Sequence, residues 1–563
     1  MVASVFFFDI INLPKLNGAA YMPELSIRDD FSYLKNFSIR GFFDFLKKNR
    51  FLAAIVALSI MIMYGVKLIS CSYGVDSDLY LEYKKYLEWI SIGRFGLVLL
   101  QKICIAGEVF NPFAAIFFSL IFLFVGTLLF TYLTRVFSRK LDSFVAKLVF
   151  ALAFVSGAVW CEQLYFTVQA AECIFIMILV PVAVWLIFNG FVFNRKCHLI
   201  AGAFLVFFMA SVYQGVLALL MGTILACFIL HCDETRCSCS RDYIILCLKI
   251  LALVFGSVAL YFIVNKIVTA LDSSRGMAYL TDSFRISSPV QLAIYLYTLT
   301  LGNIDCINSL VGPVIASHAQ SGNSAFENIV ESSTYANWLL IPSVLVFVLE
   351  ALRNSRRNPL YVCSVFGFLL CIIIFPIVSG GSVPDRVQYI VPFASAFVFV
   401  YFLGSISRRK LWVCTCAVLL VENFFYIQRI SSIVYSDKIR FDNDKRTAML
   451  VYERIAEFTE DNGLSRNIPI YISGKVNVSR TSNYICGGDP GNGTQGSFSY
   501  GGERKDNTCS IISFIRSLGY DLHNDAYSMP DGKEPDVSDL TSFPGKNCVK
   551  LVDNEYILMK LSD

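Results

Sequence analysis

Stretches of about 20 consecutive apolar residues recur along most of this chain, and nothing else in it constrains the fold as strongly. A helix rises about 1.5 Å per residue, so about 20 residues cross a hydrocarbon core about 30 Å thick. Runs of that kind fall near 51–70, 112–133, 144–160, 170–190, 198–211, 213–230, 243–264, 336–352, 360–378, 387–405 and 411–428, eleven candidates in all. The run at 198–211 is short and reads as half of a bent pair with its successor. Of the 563 residues 56% are apolar and only 16% charged, against about 25% charged in a soluble domain. The expected fold class is an all-α polytopic membrane protein with a small C-terminal α/β domain outside the membrane.

The charges test that count independently. With the N-terminus inside, the inside segments carry Lys47, Lys48 and Arg50, then Arg135, Arg139 and Lys140, then Arg195 and Lys196. Further along they carry Arg236 and Arg241, then Arg353, Arg356 and Arg357, and last Arg408, Arg409 and Lys410. Every short inside loop is basic, as the positive-inside rule requires. A miscount of one span would put the later clusters outside. The expected organisation is a cytoplasmic basic arm over 1–50, a membrane domain over 51–428 and an outer soluble domain over 429–563. The main outer loops are 71–111 and 265–335, with short outer turns at 162–169, 211–214 and 379–388. The stretch 290–301 is apolar but too short to span, which suggests a re-entrant or interfacial helix.

The C-terminal segment is less apolar. Runs at 468–472 and 549–559 read as strands between Gly, Asn and Asp turns, and 444–460 as a helix. Its Cys486, Cys509 and Cys548 are an odd set, with room for one disulfide whose pairing the sequence leaves open. Most other cysteines sit in apolar runs and read as small hydrophobes. His231-Cys232 with Cys237 and Cys239 looks like a metal cluster, but reduced thiols in a cytoplasmic turn are the simpler reading. Asn477-Val-Ser matches a glycosylation sequon, which has meaning only in a eukaryotic secretory context. A net charge of +4 is too small to argue for nucleic acid. The sequence holds no Walker motif, dinucleotide fingerprint or HExxH, so an ATP-driven pump and a zinc protease are poorly supported.

The first outer loop is the most informative segment. Leu79, Tyr83, Tyr86 and Ile90 recur at helical spacing, with Glu82, Lys85 and Glu88 elsewhere on the helix, an amphipathic pattern suited to the membrane surface. Asp78 stands where it would cap that helix, leaving Asp76 free in the loop. Capping and solvation account for one of the two; the other is a candidate general base for a hydroxyl. Glu162, Gln163, Glu172, Tyr213-Gln214 and Asp385-Arg386 fall at outer ends of spans, where polar groups are costly. For Gln163 and Glu172, helix-packing hydrogen bonds and ion pairs suffice. Arg94, Arg386 and Glu162 can face one outer cavity, and guanidinium forks match phosphate oxygens.

Taken in order, these residues resemble the Gtr-type glucosyltransferases that modify bacterial O-antigens, membrane enzymes grouped with the GT-C glycosyltransferases. The resemblance rests on Asp76-Ser-Asp78, on Trp89-Ile-Ser-Ile-Gly93-Arg94, on Glu162 with Leu164 and Tyr165, and on Tyr213-Gln214. It covers roughly the first 230 residues. Ser77 separates two aspartates that are adjacent in the family, and Phe95 stands where the family often has Pro; counting back from Trp89 favours Asp78 as the base. What the resemblance implies is transfer of a sugar, glucose by expectation, from a polyprenyl-phosphate donor to a hydroxyl of a lipid-linked glycan acceptor. The reaction would be inverting and would take place on the outer face of a bacterial inner membrane. Asp76 or Asp78 would be catalytic, Arg94 and Arg386 would hold the donor phosphate, and Trp89, Glu162, Tyr213 and Gln214 would bind substrate. No cofactor or metal is called for, although a cation beside the carboxylates is compatible with the pattern. The partners are the lipid-linked donor and acceptor and membrane lipid, with no nucleic acid. Two rivals are an O-antigen polymerase or ligase, which usually has its large outer region between spans, and a transporter of lipid-linked sugars, which would show internal repeats.

Overall fold

The computed structural model describes residues 27–74, 77, 86–105, 111–235, 241–271, 288–290, 292–293, 339–354, 358–378, 385–476, 496–498, 505–528 and 535–562. Among these, eight helices are long and apolar enough to cross a membrane. Each of the eleven apolar runs falls on a helix. Three of the helices, Lys196–Val212, Leu340–Asn354 and Ile390–Ser405, have 17, 15 and 16 residues and fall short of the usual spanning length. The expected count of eleven is therefore eight by length alone. The run at 198–211 forms a helix of its own, joined to its successor through Tyr213–Gly215.

In chain order the helices are α1 (Ile39–Lys48), α2 (Arg50–Ser70), α3 (Tyr86–Ser91), α4 (Phe95–Leu100), α5 (Pro112–Phe137), α6 (Phe144–Val155), α7 (Ala158–Tyr165) and α8 (Thr167–Val192). They continue as α9 (Lys196–Val212), α10 (Val216–Thr235), α11 (Arg241–Leu271), α12 (Leu340–Asn354), α13 (Pro359–Val378), α14 (Ile390–Ser405), α15 (Arg409–Asp461) and α16 (Lys505–Ser517). At one end of the bundle the N-terminal arm meets the ends of α5 and α10 and the start of α11, beside the basic turn at Arg139, and at the other the first loop meets the starts of α8 and α10.

Helix α8 is the central post, buried over most of its length and packed against α5, α9 and α10. With no water at such depth, polar side chains must find partners inside the protein. Ser119, Thr127, Thr131 and Thr223 do so by donating to the carbonyl four residues back, at 2.7–2.8 Å. Large apolar side chains such as Phe51, Ile200, Phe204, Phe255 and Phe425 point outward, as a lipid-facing surface requires. At the basic end, Phe31 of the N-terminal arm stacks on His231 at 3.6 Å. The two ring nitrogens of His231 meet the Tyr33 and Tyr243 hydroxyls at 2.8 and 2.9 Å, so this histidine is held as a packing element. Cys237 and Cys239 lie outside the described residues.

Helix α15 runs unbroken for 53 residues, about 80 Å, straight through the boundary expected at 428/429. The separate helix expected at 444–460 is its distal end. There it meets a three-stranded sheet of order β1-β3-β2, with β1 (Ile470–Ser473) parallel and β2 (Val549–Val552) antiparallel to β3 (Tyr556–Lys560). The strand-like run at 468–472 overlaps β1, whereas the run at 549–559, read as one strand, is the hairpin of β2 and β3. Asp553 and Asn554, at φ +53° and +57°, form the tight turn between β2 and β3. Phe441, Ala448, Val451 and Ile455 of α15 share a core with Ile470, Ile512, Phe514 and Met559, and Tyr73 of the first loop is inserted into the same core. Cys548 is buried in it, whereas Cys486 and Asn477 lie outside the described residues.

Candidate active site at the first-loop end of the bundle

The site begins with a turn. Gly93 adopts φ +84°, a conformation costly for residues with a Cβ, and closes α3 by donating its N–H to the Ile90 carbonyl at 2.9 Å. The next N–H, that of Arg94, reaches the Trp89 carbonyl at 2.8 Å. This reversal lays the Arg94 guanidinium over the Trp89 ring at 5.7 Å and over the Tyr213 ring at 4.7 Å. Its Nη1 donates to Gln169 Oε1 at 2.9 Å, while its buried Nε has no hydrogen-bond partner among the described residues. The turn itself is clamped from two sides. The Gly93 carbonyl accepts from the Tyr261 hydroxyl at 3.0 Å and from Gln214 Nε2 at 3.3 Å, and Gln214 Nε2 also donates to the Tyr261 oxygen at 2.7 Å.

A second arginine arrives from the far end of the chain. In the short turn Asp385–Val387, the Arg386 backbone N–H donates to Glu162 Oε2 at 2.6 Å and its Nη1 to Glu162 Oε1. The guanidinium lies on the Phe166 ring, 3.9 Å from its centroid. The pairing is partly buried and has both carboxylate oxygens engaged, which fixes the orientation of the fork. Three residues on, the Tyr389 hydroxyl donates to Gln163 Oε1 at 3.0 Å, and its ring packs edge-on against Tyr213 and Trp160. Phe166, which carries Arg386, and Gln169, which tethers Arg94, are neighbours at the start of α8, so both arginines meet that end of the helix.

The structure thus brings together Trp89, Arg94, Glu162, Tyr213, Gln214 and Arg386, from four separate parts of the sequence. Asp76 and Asp78 lie outside the described residues, and so does most of the amphipathic stretch beyond them. Gln163 takes part through Tyr389. Glu172, one turn deeper than Gln169 on the same face of α8, is buried with no ion-pair partner among the described residues. Sequence reasoning missed Gln169, Phe166, Tyr389 and Tyr261. The two aromatics on spans look like ordinary interfacial tyrosines, and only their contacts set them apart. No group of three or more His, Cys, Asp or Glu suited to a metal occurs among the described residues.

Fold and site together define a polytopic helical membrane protein with an arginine-lined aromatic site at one end of its bundle. The family model described as glucosyl transferase GtrII matches residues 65–404, more than half of the chain. The protein belongs to that family and is a glycosyltransferase. Comparison with curated proteins gave no match. The family match covers every site residue named above and stops before α15 and the C-terminal domain.

Proposed function

We propose that this enzyme transfers glucose from a polyprenyl-phosphate donor to a hydroxyl of a lipid-linked O-antigen, on the outer face of the bacterial inner membrane, with inversion at the sugar carbon. The observation that carries this reading is the convergence of Arg94 and Arg386 on the start of α8, where Gln169 tethers one and the Phe166 ring carries the other, each guanidinium stacked on an aromatic ring and hydrogen-bonded. Stacking holds a planar fork in place while leaving edge N–H groups for a ligand, and the buried Arg94 Nε is one such donor. In the reaction, Asp76 or Asp78 takes the proton of the acceptor hydroxyl. The resulting oxygen attacks the anomeric carbon, and the bond from that carbon to the phosphate oxygen breaks. Polyprenyl phosphate leaves with an extra negative charge beside the two arginines, where fixed cations help most. Trp89, Glu162, Tyr213 and Gln214 shape and hold the site. Because the donor arrives already attached to lipid, no nucleotide-binding fold is needed, and the cation requirement is met by arginine without a metal. The topology that goes with this reading is eleven crossings, with the N-terminus inside and the C-terminal domain outside.

The test is sugar transfer by the purified protein in detergent, with polyprenyl-phosphate glucose, lipid-linked O-antigen and the Asp76→Asn and Asp78→Asn variants alongside. Donor-dependent transfer lost in one variant supports the reading. Full activity in both removes the first-loop base, and transfer only from another lipid-linked sugar changes the donor.

A further inference from the structure

The largest buried charge cluster in the described structure lies outside the arginine site and, apart from Lys67, outside the family match. Lys67 at the end of α2 and Ser72 just past it both donate to Asp437 Oδ2 at 2.6 Å. Arg440, one turn along α15, donates to Asp437 Oδ1 from Nε at 3.0 Å and from Nη2 at 2.7 Å, and to Asp444 Oδ2 from Nη1 at 2.7 Å. Its Nη2 also reaches the backbone carbonyl of Tyr73 at 3.1 Å. All of these side chains are almost entirely out of water. Two cations and two anions so deeply buried are a poor source of stability compared with apolar packing, but they fix registry between the parts they join.

Here the parts joined are the long helix and the start of the first loop. The Tyr73 side chain completes the attachment: its hydroxyl pairs with Ser517 of α16 at 2.7 Å, and its ring packs edge-on against Phe441 and Phe514. The Ser72 carbonyl accepts from the Thr167 hydroxyl at 3.2 Å. Thr167 stands between Phe166, which carries Arg386, and Gln169, which carries Arg94. Past Tyr73, the Ser77 N–H closes back on the Gly74 carbonyl at 3.0 Å.

We propose that Arg440, with Asp437 and Asp444, is a positioning residue for transfer: it fixes Ser72 and Tyr73, the residues that lead into the first loop. This rests on the reading of that loop as the source of the base. The C-terminal domain is then part of the catalytic apparatus, acting through Tyr73 and α15 rather than by touching substrate.

The full-length enzyme tests this in two readouts. Arg440→Lys retains charge but loses the fork. The double variant Arg440→Gln/Asp444→Asn removes one charge of each sign and leaves the Lys67–Asp437 pair intact, which guards against simple misfolding. For the double variant, with an unchanged melting transition, we expect kcat to fall at least ~10-fold while the donor KM stays within ~3-fold. Deuterium uptake at amides 71–77 should rise, and Arg440→Lys should lie between it and wild type in both readouts. Unchanged uptake at 71–77 overturns the proposal whatever the activity, and so does raised uptake with wild-type kcat. A wild-type enzyme inactive with every lipid-linked sugar would overturn the glucosyl-transfer reading instead, and the uptake comparison would still decide whether α15 holds the loop.

Discussion

At the level of single residues, the two arginines are held in different ways, and the difference has consequences. Arg94 lies between the Trp89 and Tyr213 rings, tethered by Gln169. Lysine would keep the charge but lose the planar stack and the fork, so Arg94→Lys should lower kcat/KM about 10- to 100-fold, about 1.4–2.7 kcal/mol. Steady-state kinetics on the folded variant check this, and a wild-type value would reduce Arg94 to packing. Arg386 is instead aimed by Glu162, both of whose oxygens it occupies. Glu162→Gln should therefore raise the donor KM by about 10-fold with a smaller effect on kcat, and Glu162→Asp should recover part of the loss. A collapse of kcat at unchanged KM would make Glu162 an acid or base instead. The sequence pointed to both arginines because charged groups at the ends of spans need a reason to be there. It could not say that Glu162 serves Arg386, since the two are joined only by folding.

Among the elements, the turn between α3 and α4 depends on one glycine. Gly93 sits at φ +84°, and a Cβ there would run into the Tyr261 hydroxyl. Gly93→Ala should cost about 1–2 kcal/mol from the backbone alone, and more from the contact, while displacing Arg94 from the Tyr213 ring. A lowered melting transition in detergent together with reduced transfer is the expected pair of results; an unchanged melt would mean that the turn relaxes freely. Helix α15 teaches the complementary lesson. Its membrane part and its distal part both read as helix from the sequence, with a domain boundary expected between them at 428/429. The linking stretch 429–443 contains no Gly or Pro to stop a helix, and the structure carries α15 through it without a break. Hydropathy changes there because the surroundings change, not because the helix stops.

For the whole molecule, the C-terminal domain and the membrane domain share α15 and the Tyr73 insertion. Truncation after Asp461 would strip the cover from Phe441, Ala448, Val451 and Ile455, of which Phe441, Val451 and Ile455 are each worth about 1.5–3 kcal/mol when fully buried. The truncated protein should aggregate or be degraded, whereas the full chain should run as a single species in gel filtration. A monodisperse, active truncation would show that the domain is dispensable.

The sequence by itself determined that this chain is a bundle of apolar helices with basic turns, because apolar length and charge asymmetry are local properties that a bilayer reads directly. It determined the candidate set of polar residues for the same reason: each is conspicuous against its apolar surroundings. Only the tertiary structure decided that Arg94 and Arg386 meet at the start of α8, that Glu162 aims one of them and Gln169 the other, and that α15 reaches back to grip Ser72 and Tyr73. Those facts are contacts between segments far apart in the chain, and no local pattern encodes which distant partner a buried charge will find.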